Sequence, residues 1–231
     1  MAFHHSPRII TDGLVLSLDA ADKNSYPGSG TAWSDLSGNG KNGTLGGATF
    51  STNVNGSLEF DGINDSLYTA AMDFSSNWTV GMWINLNSWT YDNSACGDNR
   101  TGIWEQESGY YNCIQLVSSG TSLKFNCFYA NPGSFTLNFN SEYLNGWMYA
   151  VVTWDDTGYC RTWLNGTLNN SQDVSSISIN PTSNLRMMYY NKHCGYAYVD
   201  GSLGIVNVWT KTLSQTEVSQ NFNAQRSRFS I

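Results

Sequence analysis

The sequence predicts an all-β fold: two antiparallel sheets packed as a sandwich, with one short C-terminal helix. Three observations carry this. Aromatic residues reach 14% of the 231 positions, with Gly, Asn, Ser and Thr plentiful and Ala, Glu and Lys sparse, which is the palette of strands and turns. Strand-like segments recur at short intervals between turn signals. In "WTVGMWINL", Trp78, Val80, Met82, Ile84 and Leu86 alternate onto one face, and Trp83 points the other way.

In chain order the predicted strands are Leu14–Asp19, Ser57–Phe60, Ser66–Thr69, Trp78–Leu86, Asn112–Ser118, Ser122–Tyr129, Ser134–Phe139, Trp147–Asp155, Cys160–Leu164, Leu185–Tyr190 and Leu203–Thr210. "DGIND" separates the second and third, "DDTG" the eighth and ninth, and "NPTSN" precedes the tenth, all of them turn chemistry. The helix lies in "LSQTEVSQNFNAQ", where Ser214 and Glu217 form a capping box and Val218 and Phe222 the apolar stripe. The core candidates are Trp78, Val80, Met82, Ile84, Val152, Trp154, Ile205 and Trp209. With no linker, repeat or low-complexity block, residues 14–225 read as one domain between an arm, 1–13, and a tail, 226–231. A domain of this length buries roughly 70–75% of its unfolded surface and needs no metal or disulfide to have a core.

The formal charge of −7, with no broad basic face, argues against nucleic acid as partner. No apolar run approaches the ~20 residues of a membrane-spanning helix, so membrane insertion is not expected. The start, "MAFHHSPRIITDG", lacks the apolar centre of a signal peptide, which predicts synthesis in the cytoplasm without Sec export.

Five cysteines at wide spacing form neither a disulfide framework nor a C-x-x-C zinc pair. Cys113 and Cys127 flank a turn centred near Gly120, which predicts that they lie side by side across a hairpin and can form a disulfide. His193 and Cys194 are adjacent, so a strand points them to opposite faces and denies them a shared reaction.

The stretch "AWSDLSGNGKNGTL" admits three readings. As a phosphate loop it fails, because Lys41 is followed by Asn42 and no helix comes next. As a calcium loop it offers Asp35, with Asn39 and Asn42 assisting, but not a dense acidic pattern. As a turn it needs only the Asn and Gly residues that reach positive φ at low cost. No cofactor is required; calcium at Asp35, Asn39 and Asn42 is the alternative kept.

Four ordered landmarks, "SLEFDGINDSLYT", "FSSNWTVGMWINL", "GWMYAVVTWDDTGYCRTWLNG" and "GSLGIVNVWTKTLSQTEVSQNFNAQ", resemble those of laminin-G-like, concanavalin A-like jelly-roll domains. The opening "RIITDGLVLSLDAADKNSYPGSGTAWSDLSGNGKNGTL" and closing "LSQTEVSQNFNAQRSRF" resemble those of laminin-G-like structural proteins of tailed marine bacteriophages. That resemblance implies a virion structural protein, a capsid decoration or fibre subunit on the particle surface, whose partners are other virion proteins or sister copies and, through an added activity, host-surface glycans. A stand-alone lectin-like module is the alternative, and a glycoside hydrolase the next.

The hydrolases of this fold carry three acidic residues at near-alternate positions of one strand, as the resemblance implies. Here only Glu105 and Glu107 stand so, with Gly109 third, and a solvated loop is their expected place. The expectation is therefore no enzyme. Sugar binding asks for aromatic platforms beside hydrogen-bonding groups. Residues 89–111, read as a long loop region, supply Trp89, Tyr91, Trp104, Tyr110 and Tyr111 with Asp98, Asn99 and Arg100. Finally, Phe3, Arg8 and Ile9 at one end and Arg226, Arg228, Phe229 and Ile231 at the other admit two readings: exposed docking arms, since Arg pairs with carboxylates while Phe and Ile fill pockets, or arms packed on their own sandwich.

Overall fold

A computed structural model describes residues 7–74, 76–87, 100–107, 112–119, 122–129, 135–138, 146–175, 182–192 and 195–231. Its strands are β1 (Leu14–Asp19), β2 (Ala32–Trp33), β3 (Gly43–Gly46), β4 (Thr49–Ser51), β5 (Ser57–Asp61), β6 (Ser66–Asp73), β7 (Trp78–Leu86), β8 (Arg100–Glu107) and β9 (Asn112–Ser119). They continue with β10 (Ser122–Tyr129), β11 (Phe135–Asn138), β12 (Trp147–Asp155), β13 (Tyr159–Leu164), β14 (Thr167–Asp173), β15 (Thr182–Met187), β16 (Tyr189–Lys192), β17 (Gly195–Tyr198) and β18 (Asp200–Trp209). Helix α1 spans Gln215–Gln225 and runs into a 3-10 turn, Arg226–Phe229.

Two large antiparallel sheets face each other. One runs β14-β13-β12-β7-β18-β5-β4, with β1 also on β18; the other runs β11-β10-β9-β8-β15-β6-β3-β2. The inward residues of β7, Trp78, Val80, Met82, Ile84 and Leu86, meet Leu16, Leu18, Trp33, Phe60, Leu67, Trp104, Val152, Trp154, Met187 and Val206 in the core between the sheets. The predicted jelly-roll sandwich is what the chain forms.

A second core lies on the outer face of the first sheet. Trp83, Tyr149, Val151, Trp163, Ile205 and Trp209 point outward and are roofed by Leu213, Val218 of α1 and Phe229. Ile205 and Trp209 therefore belong here and not between the sheets, because a bulge at Leu203/Ile205 resets the alternation of β18. The Ser214 and Glu217 capping box forms as the sequence predicts: the Ser214 N–H donates to Glu217 Oε2 at 2.9 Å, and Ser214 Oγ accepts from the Glu217 N–H.

The tail corrects the docking-arm expectation. Phe229 is 2% exposed and stacks on Trp83 at 4.1 Å and 7°. Gly204 permits this, since any Cβ there meets the Phe229 ring at 2.6 Å. Arg228 donates to Asp19 Oδ1 at 2.5 Å, to the Val54 carbonyl at 2.7 Å and to the Gly56 carbonyl. The tail is thus a clamp on its own sandwich: no isolated strand or helix holds it, and burial against distant residues does. Of the other arm residues, Arg226 lies against Phe222 and Ile231 is exposed. Arg8 is exposed, Ile9 half-buried, and the Arg8 carbonyl accepts from Gln220 of α1 at 2.7 Å; Phe3 lies outside the described residues.

The hairpin β9–β10 corrects the disulfide expectation. Cys113 stands opposite Phe128 and Cys127 opposite Ile114. The Ser119–Ser122 pair places the hairpin centre half a residue beyond Gly120, and that half-residue assigns the two cysteine positions to opposite faces of the sheet.

The glycine-rich stretch is a turn, with Gly38 and Gly40 at φ of +88° and +68°. Asp35 is its hub. Oδ1 accepts from the Ser17 and Ser37 N–H groups at 2.9 and 2.8 Å, and Oδ2 from Ser37 Oγ and the Lys41 N–H at 2.7 and 3.0 Å. Asn42 Oδ1 accepts from the Asp35 N–H at 2.9 Å, and Asn39 Nδ2 donates to the Leu14 carbonyl at 3.2 Å. The candidate calcium ligands instead serve the chain itself, because four internal donors occupy the lone pairs an ion needs. Burial raises the Asp35 carboxyl, but the bonds from Ser17, Ser37 and Lys41 outweigh it and hold the group below the usual carboxylate range. A depressed folded value means stabilisation that is present above the unfolded value and lost as pH falls through the folded one. Glu217 and Asp155 shift the same way. Denaturant unfolding is expected to show stability declining below about pH 4, and less steeply in Asp35→Asn, which starts from lower stability at neutral pH.

Candidate functional site

The clamp covers only part of the outer face of the first sheet. Beyond it, register lines up one row across five strands: Thr49, Glu59, Ser202, Asn85 and Trp147 are successive partners on β4, β5, β18, β7 and β12. Two residues further along, Asp61 faces Asp200, and Asn87 Nδ2 donates to Asp200 Oδ1 at 2.7 Å. All point outward, because Leu58, Phe60, Ile84, Leu86, Met148 and Leu203 between them point into the core. The polar members line a cleft of about 520 Å³, closed at one side by Gly47, Asn64 and Asp65.

Neighbouring strands lie about 4.8 Å apart and alternate residues roughly 6.5–7 Å along a strand, so the two rows form a grid on the scale of a sugar ring and its hydroxyls. The grid is built of acceptors more than donors. Asn85 Oδ1 is shielded from solvent and accepts no hydrogen bond among the described residues. Asn53 Nδ2 reaches Glu59 Oε1 at 3.5 Å, joining the platform to the segment that Arg228 clamps. Trp147, half-buried against Phe229 at 4.8 Å, ends the row where the platform meets the clamp.

A second cleft, about 590 Å³, lies at the opposite end of β7. Several of its polar groups are already paired. Arg161 pairs with Asp155 at 3.7 Å, Lys211 with Asp12 and Glu217 at 2.9 and 2.7 Å, and Thr212 donates to Asn77 at 3.0 Å. That cleft braces the start of α1.

The sugar-binding candidates fare differently. Trp104 is fully buried, edge-on to Trp78 at 6.1 Å and 89°, so it is core and not a platform. Arg100 opens β8, a strand inside the 89–111 stretch that the sequence predicts as loop. Glu105 and Glu107 also stand on β8, between β9 and β15, and not in a loop. Trp89, Tyr91, Asp98, Asn99, Tyr110 and Tyr111 lie outside the described residues, as do His193 and Cys194. Missing from the sequence reading were Thr49, Glu59, Asn85, Asn87, Asp200 and Ser202. The signal for them was present: each is polar at a position that the core alternation points outward.

The family model described as the concanavalin A-like lectin/glucanases superfamily, of laminin-G type, matches residues 60–219, more than half of the chain. The chain belongs to this superfamily. Botulinum neurotoxin type E of Clostridium butyricum is 23% identical over 162 residues, 64% of this chain and 12% of the toxin. The binding domain of botulinum neurotoxin serotype G superimposes with a TM-score of 0.72 at 20% identity, over 93% of this chain and 51% of that one. The ligand-binding domain of serotype D, solved in complex with N-acetylneuraminic acid, gives 0.73 at 19%, over 94% and 52%. At such identities the likeness is one of fold, and the chain spans about half the length of those solved structures.

Proposed function

We propose that this domain is a glycan-binding, non-catalytic module that takes its sugar on the outer-face platform. The observation that carries the reading is the register row Thr49–Glu59–Ser202–Asn85, whose hydrogen-bonding groups line one cleft on a rigid sheet. Rigid strands hold such a grid without the entropy loss of ordering loops. A serotype D domain of the same fold, solved with N-acetylneuraminic acid, supports a sugar ligand by analogy. A non-catalytic role is supported by the acidic pair Glu105 and Glu107 having Gly109 where a third acid is needed. A glycan array probed with the full chain tests the reading: selective retention of a subset of glycans supports it, and no retention on any glycan refutes it.

Display on a bacteriophage particle is the second reading. It rests on the openings and closings quoted above, which resemble those of tailed-phage structural proteins. It places the module on the virion surface, after synthesis in the host cytoplasm, with capsid, tail or fibre proteins as neighbours. Mass spectrometry of purified particles with copy counting tests it, and particles lacking the chain refute it.

A further inference from the structure

The platform has a charge as well as a shape. Four carboxylates line it, Glu59, Asp61, Asp65 and Asp200, and no Lys, Arg or His is among its lining residues. Asp61 and Asp200 are direct partners on adjacent antiparallel strands, an arrangement of like charges that costs stability. One oxygen of each is engaged: Asp61 Oδ1 accepts from the Ile63 N–H at 2.8 Å, and Asp200 Oδ1 from Asn87. The second oxygens accept no hydrogen bond among the described residues.

Asp65 sits beside them, 5% exposed. Burial raises its carboxyl, a bond from the Asp61 N–H lowers it, and the Asp61 charge raises it again. A separate observation comes from the uncharged row: Asn85 Oδ1, enclosed and unpartnered among the described residues, also calls for a donor. Paired residues of this kind hold their Cβ atoms about 4.5–5.5 Å apart, so one ammonium reaches a carboxylate on each side at about 2.8 Å.

Resting on the glycan-binding reading, we propose that the platform selects an amine-bearing sugar of glucosamine type. Its ammonium sits between Asp61 and Asp200, its hydroxyls donate to Asn85 and Ser202, and acidic sugars are excluded by the same carboxylates.

Calorimetric titration of the full chain with glucosamine oligomers, their N-acetylated counterparts and sialyllactose, at low and high salt, tests this. The glucosamine oligomer is expected to bind roughly tenfold more tightly than its N-acetylated counterpart, with the preference shrinking at high salt. Sialyllactose is expected not to bind. Asp61→Asn with Asp200→Asn keeps the Oδ1 acceptors, and is expected to abolish the preference with the melting temperature kept or raised. Equal binding of the N-acetylated oligomer, tighter binding of sialyllactose, or a preference that survives both substitutions overturns the inference and leaves the glycan reading standing. No binding of any of the three, together with a blank glycan array, overturns both.

Discussion

Phe229→Ala is expected to destabilise the domain by about 3–5 kcal/mol, the range for emptying a buried aromatic site. The ring is 2% exposed and lies parallel to Trp83 at 4.1 Å. Its loss uncovers one face of Trp83, whose Nε1–H donates to Gln225 Oε1 at 2.8 Å, and loosens Trp147 at the end of the platform. Arg228→Met leaves Asp19 and two carbonyls without their donor and is expected to cost roughly 2–3 kcal/mol, with a part-exposed ion pair keeping it at the lower end. Denaturant unfolding of these variants and of a chain ending at Gln225 checks the clamp. Wild-type stability in the truncated chain is the outcome that the packing does not allow.

The second large effect concerns binding. Asn85→Ala with Ser202→Ala removes the centre of the row and is expected to weaken glycan affinity by about 2 kcal/mol, roughly 30-fold, as two neutral hydrogen bonds are lost. Both side chains point out of the core, so the folded state is expected to change by less than about 1 kcal/mol. The matched control is Thr212→Ala with Arg161→Ala in the opposite cleft, where affinity is expected to hold. Titration calorimetry with the best array glycan reads both.

Four strands were legible in the sequence to the residue. Leu14–Asp19, Trp78–Leu86, Ser122–Tyr129 and Trp147–Asp155 have the bounds the patterning predicts. Strand β8 was not, because a bulge between Gly102 and Trp104 turns Ile103 and Trp104 both inward and breaks the period of two. Strand β14, "TLNNSQD", is an edge strand with little buried on either face, so its sequence has no alternation to read. The outward polarity of Glu59, Asn85 and Ser202 was likewise local and readable, but their alignment into a row is set by register between strands far apart in sequence. The tail looked exposed for the same reason: Trp83 and Gly204, which bury Phe229, are remote from it in the chain.

The central claim is that the outer-face platform holds the sugar. Amide chemical-shift mapping during titration with the array-selected oligosaccharide tests it most directly. Saturable shifts are predicted at Glu59, Asp61, Asn85, Asp200 and Ser202, with Arg161 and Thr212 unmoved. Shifts confined to the opposite cleft or to β8 and β9, with the platform amides unchanged at saturation, would contradict it.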